Sequence, residues 1–347
     1  MIARTACYTC RMRYFVLIGL ILGALVGYYL LWAHLSDQVA AEATRWAEAQ
    51  RAQGREVSYD RLRQWGFPYR LSLTMENLRW HDPQSAVGWR IEADEVNAHL
   101  QLWKLDHVIF DLNGAQRLAW KEGDAERQVT LTAERFRSSL VLDAAGNWLR
   151  LAADLEKPSL SGALQDWRAD KLLLHARRAG NVPPSADLAL QAEAVTLPAS
   201  ADGPLGRQIA SLRLVGNARG TAVGRTPEDL LGTWRDSGGI VEFETIALQW
   251  GALRMNGDGS LTLDKQFRPL GAMTGQIRGA EAGLDALVAA GRMKPEDAAA
   301  GKAALGVIAL RDDRGERYLP VPLTAQEGRL FLGPVPLFAL QPILPGK

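Results

Sequence analysis

The residues able to do chemistry are few and scattered. Cys7 and Cys10 form a Cys-x-x-Cys pair, a spacing that suits a metal ion or a dithiol couple. Tetrahedral zinc needs four ligands, and the chain offers no second pair. The pair therefore reads as two reduced thiols on a short tail. His81, His99, His107 and His175 occur singly, and in alternating strands a lone histidine reads as a half-exposed polar residue. Asp106 precedes His107, but neighbours on a strand face opposite ways. Asp312 and Asp313, between Arg311 and Arg314, read as a charged turn. There is no HExxH, GxSxG, Walker loop or GxGxxG, and GNARGTAVGR lacks the lysine and spacing of a phosphate cradle. The expectation is no catalytic residue, no metal, no cofactor and no enzyme.

The elements that would position any site start with YFVLIGLILGALVGYYLLWA, residues 14–33, which holds no charge. At 1.5 Å per residue such a helix spans about 30 Å, the hydrocarbon thickness of a bilayer. Arg4, Arg11 and Arg13 precede it and no Lys or Arg follows before Arg45. This asymmetry predicts a membrane anchor with residues 1–13 in the cytoplasm and the rest of the chain on the far side. Tyr28, Tyr29 and Trp32 stand where an outer aromatic belt belongs. A cleavable signal peptide is the rival reading, with Val39 and Ala41 before the cut, but a signal's apolar region is about 7–15 residues, shorter than this one. With 40 basic and 39 acidic residues, no charge excess draws the chain to nucleic acid.

Residues 34–54 read as a helical stalk, with Leu35, Val39, Ala43, Trp46 and Ala47 at helical spacing and Gly54 as its stop, and as a continuation of the anchor helix packed on the first strands in preference to a partner-binding coil. The next stretch, WGFPYRLSLTMENLRW, alternates: Tyr69, Leu71, Leu73 and Met75 share one face, Arg70, Ser72, Thr74 and Glu76 the other. After Asn77 the apolar residues fall on even numbers, Leu78 and Trp80, the phase change of a β-bulge. Trp65, Phe67 and Tyr69, with Leu71, Leu73 and Met75, are the candidates for a groove mouth, edge packing being the alternative for the aromatics.

Alternation continues through Val96–Leu102, Val108–Leu112, Val129–Ala133 and Phe136–Leu142. Asp82-Pro83, Asn113-Gly114, Glu122-Gly123-Asp124 and Ala145-Gly146-Asn147 read as the turns between strands. The fold class expected is mainly β with a few helices: a long antiparallel meander, curled or sandwiched, behind one N-terminal transmembrane helix. Pro183-Pro184 marks a weak boundary between a β region at 55–180 and a second at 185–347. In the second, Thr226, Pro227, Glu228 and Asp229 look like the capped start of a helix near 226–237. Gly257-Asp258-Gly259 reads as a hairpin turn, and an Ala-rich helical section covers about 280–306.

Four segments carry a resemblance: GFPYRLSL, WRADKLLLHARRAG, WGALRMNGDGSLTLDKQFRPLGAMTGQIRG and GRLFLGPVPLFALQPIL. Together they resemble the bacterial domain-of-unknown-function family numbered 2125. That resemblance implies an alphaproteobacterial protein with a membrane anchor, so that with the charge asymmetry the expected location is the bacterial inner membrane with the main domain periplasmic, and it brings no activity and no functional residue. The order of strands, Ala-rich helix and closing strands is also similar to envelope proteins of the AsmA-like kind, which implies a long sheet curling into an apolar groove.

Three functions remain open on the sequence. One is a tethered sheet that binds or passes lipid or another apolar envelope component, because apolar strand faces outnumber the helices available to cover them. Another is a scaffold that presents the same sheet to an envelope protein partner. The third is a hydrolytic enzyme.

Overall fold

The computed structural model describes residues 5–85, 87–163, 165–181, 184–224 and 226–344. It opens with one unbroken helix, α1 (Thr5–Ala52). Anchor and stalk are therefore a single rod that begins within the residues expected to form a separate tail. Its most apolar stretch has a mean hydropathy of 2.2, and none of its residues is buried inside the protein. By length and composition it is long and apolar enough to cross a membrane. The side chains of Cys7 and Cys10 lie outside the described residues. The helix ends where Gly54 adopts a left-handed φ of 81°, donating to the Arg51 carbonyl at 2.9 Å.

The outer half of α1 lies along the first strands. Ser36, Ala40 and Ala47 are buried there, three small side chains that let helix and sheet approach closely. Ser36 Oγ donates to Gln64 Oε1 at 3.1 Å, and Trp46 meets Trp80 edge-on at 5.5 Å.

β1 (Glu56–Ser58) and β2 (Arg61–Trp65) both pair antiparallel with β3 (Leu71–His81). The meander continues through β4 (Arg90–Gln101) to β5 (Lys104–Glu122). Three interrupted strands follow. β6 (Ala125–Thr132) and β7 (Arg135–Leu142) pair with the two halves of β5. β8 (Trp148–Glu156) and β9 (Ser159–Gly162) lie against β7 and β6. β10 (Trp167–Arg168) and β11 (Lys171–Asn181) lie against β9 and β8, and both pair with β12 (Pro184–Thr196). The β11–β12 ladder runs from Lys171 opposite Glu193 to Asn181 opposite Pro184.

β13 (Gln208–Arg219) leads to α2 (Pro227–Asp236), then β14 (Ile240–Trp250), β15 (Leu253–Leu263) and β16 (Pro269–Arg278). Next come α3 (Ala280–Ala289), α4 (Pro295–Ile308) and the short β17 (Leu310–Arg311). β18 (Arg317–Gln326), β19 (Arg329–Leu332) and β20 (Val335–Ala339) complete the chain of neighbours, β18 pairing with β16. At α2 the capping box forms: Thr226 Oγ1 accepts from Asp229 N at 3.1 Å. Among the described residues β1 and β2 pair with β3 alone and β20 with β19 alone, so the sheet is an open ribbon.

A line of irregularities crosses the first part of this ribbon. Asn77 in β3 has φ 51° and sits opposite Asp94 of β4. Opposite Asp94 on the other side, β5 carries the extra residues Gly114 and Ala115. The line continues through the breaks at 133–134, 157–158 and 169–170, then Ala194 of β12 (φ 50°) and the register shift at residue 210 of β13. Parity of the apolar residues changes across it, as in Leu188, Leu190 and Ala192 before Ala194 and Val195 after it.

Two sequence expectations are corrected here. Asn113-Gly114 is no turn: β5 runs through it, because Asp94 accepts from Ala115 N at 2.8 Å and binds Arg117 at 2.6 Å, fixing a bulge. Gly257-Asp258-Gly259 lies inside β15, and the reversal falls earlier, between Trp250 and Leu253. Glycine serves there for close approach, since a Cβ on Gly257 would stand 2.4 Å from the Thr274 carbonyl.

Candidate functional site

The six residues singled out as a groove mouth separate into four places. The β2–β3 turn can close because Gly66 takes a φ of 109° that a side chain would oppose. Phe67 then packs on α1, with ring centroids 6.0 Å from Tyr28, 5.4 Å from Tyr29 and 5.6 Å from Trp32. Tyr28 donates its hydroxyl proton to the Pro68 carbonyl, and Trp32 Nε1 donates to the Arg70 carbonyl at 2.9 Å. Tyr69 points away and is 78% exposed. Trp65 turns to the polar face, where Nε1 donates to Thr74 Oγ1 at 2.8 Å. Leu71, Leu73 and Met75 are buried on the apolar face.

Leu73 and Met75 line a cleft of about 950 Å³ between sheet and helix. Leu35, Val39 and Trp46 of α1 form one wall, and Leu78, Val96 and Phe110 extend the other. Leu78 stands beside Met75 despite its opposite parity, which is the effect of the left-handed Asn77. Farther along the same face is a second trough of about 560 Å³, lined by Leu151, Leu174, Leu188, Leu190, Leu214 and Phe243.

Cross-strand register joins the two. Residues directly opposite on neighbouring strands share a face. One transverse row runs Leu73, Ala98, Phe110, Ser138, Ala153, Leu174, Leu190, Leu214, Ile246, Gly257, Gly275 and Val321. Twelve strands contribute, and Ser138 is the single polar side chain. At about 4.8 Å between strands the row is about 50 Å long. Leu151, Leu174 and Leu188 on this face are each more than a third exposed, so it is only partly covered.

The next row over is its polar counterpart: Thr74, Asn97, Asp111, Arg137 and Asp154. Its first four members floor a polar pocket of about 610 Å³ with Arg63, Trp65, Arg70 and His99 on its walls. His99 Nδ1 lies 2.9 Å from Ser72 Oγ, His99 Nε2 lies 3.2 Å from Asp111 Oδ2, and Arg137 Nε donates to Asp111 Oδ1 at 2.7 Å. Burial pushes the His99 imidazole below its ordinary value, with the Arg70 charge adding to the effect. The Arg137 hydrogen bond holds the Asp111 carboxyl low. A serine, histidine and aspartate in hydrogen-bonded sequence is the arrangement of a nucleophile, its base and an orienting acid. Here Ser72 is buried, 3% exposed. What the array does physically is tie β3, β4, β5 and β7 together. Reading from sequence missed it, although Ser72, Thr74, Asn97, His99 and Asp111 all share the parity opposite to the leucines around them.

The remaining chemical candidates stay apart. His107 Nε2 lies 3.2 Å from Ser139 Oγ, on the face away from Asp106. Asp312 is held low by Arg278 and closes a turn with Gly315. Among the described residues no three His, Cys, Asp or Glu side chains gather as a metal site.

Fold and faces together define a class: a β-sheet protein with one apolar face, carried behind an N-terminal helix able to span a membrane. The chain belongs to the family described as an uncharacterized protein conserved in bacteria (DUF2125), whose model matches residues 32–341. Comparison with curated proteins and with solved structures finds no match.

Proposed function

We propose that this protein is an inner-membrane-anchored, periplasmic carrier surface, whose apolar sheet face holds the acyl chains of a lipid or of another apolar envelope component. The observation that carries the reading is the twelve-strand row from Leu73 to Val321, with one polar side chain in about 50 Å. An apolar face of that length costs free energy in water unless something covers it. The cleft beside Leu35, Val39 and Trp46 puts one end of the row against the helix that leaves the bilayer. The basic residues Arg4, Arg11 and Arg13 support a cytoplasmic N-terminus.

The test is a photo-reactive amino acid placed in the full chain in living cells, at Leu174 on the apolar face and at Arg177 on the polar face. Acyl-bearing adducts at Leu174 and none at Arg177 are expected. A lipid-free outcome at both positions refutes the carrier, and a defined protein adduct at Leu174 in its place makes the sheet a scaffold.

A further inference from the structure

We infer that the protein touches the bilayer a second time, through two neighbouring turns at one end of the sheet, the β2–β3 turn (residues 66–70) and the β4–β5 turn (residues 102–103). The inference rests on α1 crossing a bilayer and needs no ligand on the sheet.

Depth follows from α1 itself. The apolar run ends at Ala33, and Tyr28 is five residues inside that end, about 7–8 Å at 1.5 Å per residue. Side chains on a helix lean toward its N-terminus, here the membrane side, so the contacts of Tyr28 are not displaced outward. Those contacts are the Pro68 carbonyl and the Phe67 ring. Trp32, one turn farther out, is bonded to the Arg70 carbonyl. A turn fastened to Tyr28 and Trp32 sits at the depth of Tyr28 and Trp32, which is the boundary between acyl chains and headgroups.

The side chains suit that boundary. Leu71 pairs with Leu100, so the β4–β5 turn emerges beside the β2–β3 turn. Phe67 is 46% exposed, Tyr69 78% and Trp103 74%; exposed aromatics are costly in water and favourable at a membrane interface. Cations accompany them. Arg70 stacks its guanidinium over the Trp65 ring at 4.6 Å and meets no carboxylate among the described residues, and Lys104 is likewise without an ion pair there. Arginine and lysine at this depth meet lipid phosphate. The far ends of the same strands differ: the β5–β6 turn is Gly123-Asp124, about 60 Å away along the 19 residues of β5.

The experiment uses the full chain with Cys7→Ser and Cys10→Ser, reconstituted in vesicles of phosphatidylethanolamine and phosphatidylglycerol. A nitroxide is attached at Tyr69→Cys, at Trp103→Cys and, as the aqueous reference, at Asp124→Cys. The readout is collision with oxygen against collision with a water-soluble nickel chelate. An oxygen-to-nickel ratio at least several-fold higher at positions 69 and 103 than at 124 is expected. Equal ratios at all three overturn the second contact, and position 103 supplies the answer should the substitution at 69 prevent folding. Adding Arg70→Glu to the Tyr69→Cys chain is expected to lower its ratio at least twofold. An unchanged ratio removes Arg70 from the contact.

Discussion

Truncating two leucines on the same face gives a direct measure of how open that face is. Leu71 is 1% exposed and Leu174 is 39% exposed, although both point to the apolar side of the sheet. Full burial of a leucine contributes about 1.5–3 kcal/mol, so the three-fifths of Leu174 removed from water is worth about 1–2 kcal/mol. Leu174→Ala loses about that much and leaves no enclosed cavity. Leu71→Ala loses the whole transfer energy and opens a hole beneath α1, for about 3–5 kcal/mol. Urea unfolding of each full-length variant in lipid nanodiscs, followed by tryptophan fluorescence, is expected to separate the two by about 2 kcal/mol. If Leu174→Ala costs as much as Leu71→Ala, some other part of the protein covers the second trough. The argument for an open apolar face then fails.

Thr74→Val is expected to cost about 2–3 kcal/mol, because the buried hydroxyl accepts from Trp65 Nε1 and donates to Asn97 Oδ1 at 2.5 Å. Thr74→Ser, which keeps the hydroxyl, should recover most of that loss in the same unfolding assay. Acid should destabilise the protein in two steps. Below the ordinary histidine value of 6.5 the unfolded chain takes up a proton that the buried His99 refuses, so stability falls with pH there. The Asp111 contribution is present above 3.8 and is lost only as pH drops further. Thermal melts from about pH 7 to about pH 5 should lose their His99 component in His99→Gln. An unchanged profile in that variant would assign the acid sensitivity elsewhere.

The strand architecture was readable because alternation is a local property. Leu71, Leu73 and Met75 announce a face with no knowledge of their partners, and Gly54 and Thr226 announce helix boundaries from their own backbone preferences. Partners set what was misread. Asn-Gly at 113–114 is a strong hairpin signal, but the carboxylate of Asp94, 21 residues from the amide it accepts, makes it a bulge. The Ser72–His99–Asp111 array joins three strands through contacts between residues 27 and 12 positions apart, which alternation within one strand does not display. Likewise Trp65, Phe67 and Tyr69 look alike in sequence, yet the turn sends one to the polar face, one to α1 and one outward.

The aligned irregularities from Asn77 to residue 210 have a mechanical meaning. Regular ladders resist bending because every hydrogen bond along a strand must deform together, whereas a ribbon scored at neighbouring points on successive strands hinges along the score. The panel that carries the row from Leu73 to Leu174 can then change pitch relative to the panel of β6, β9 and β10.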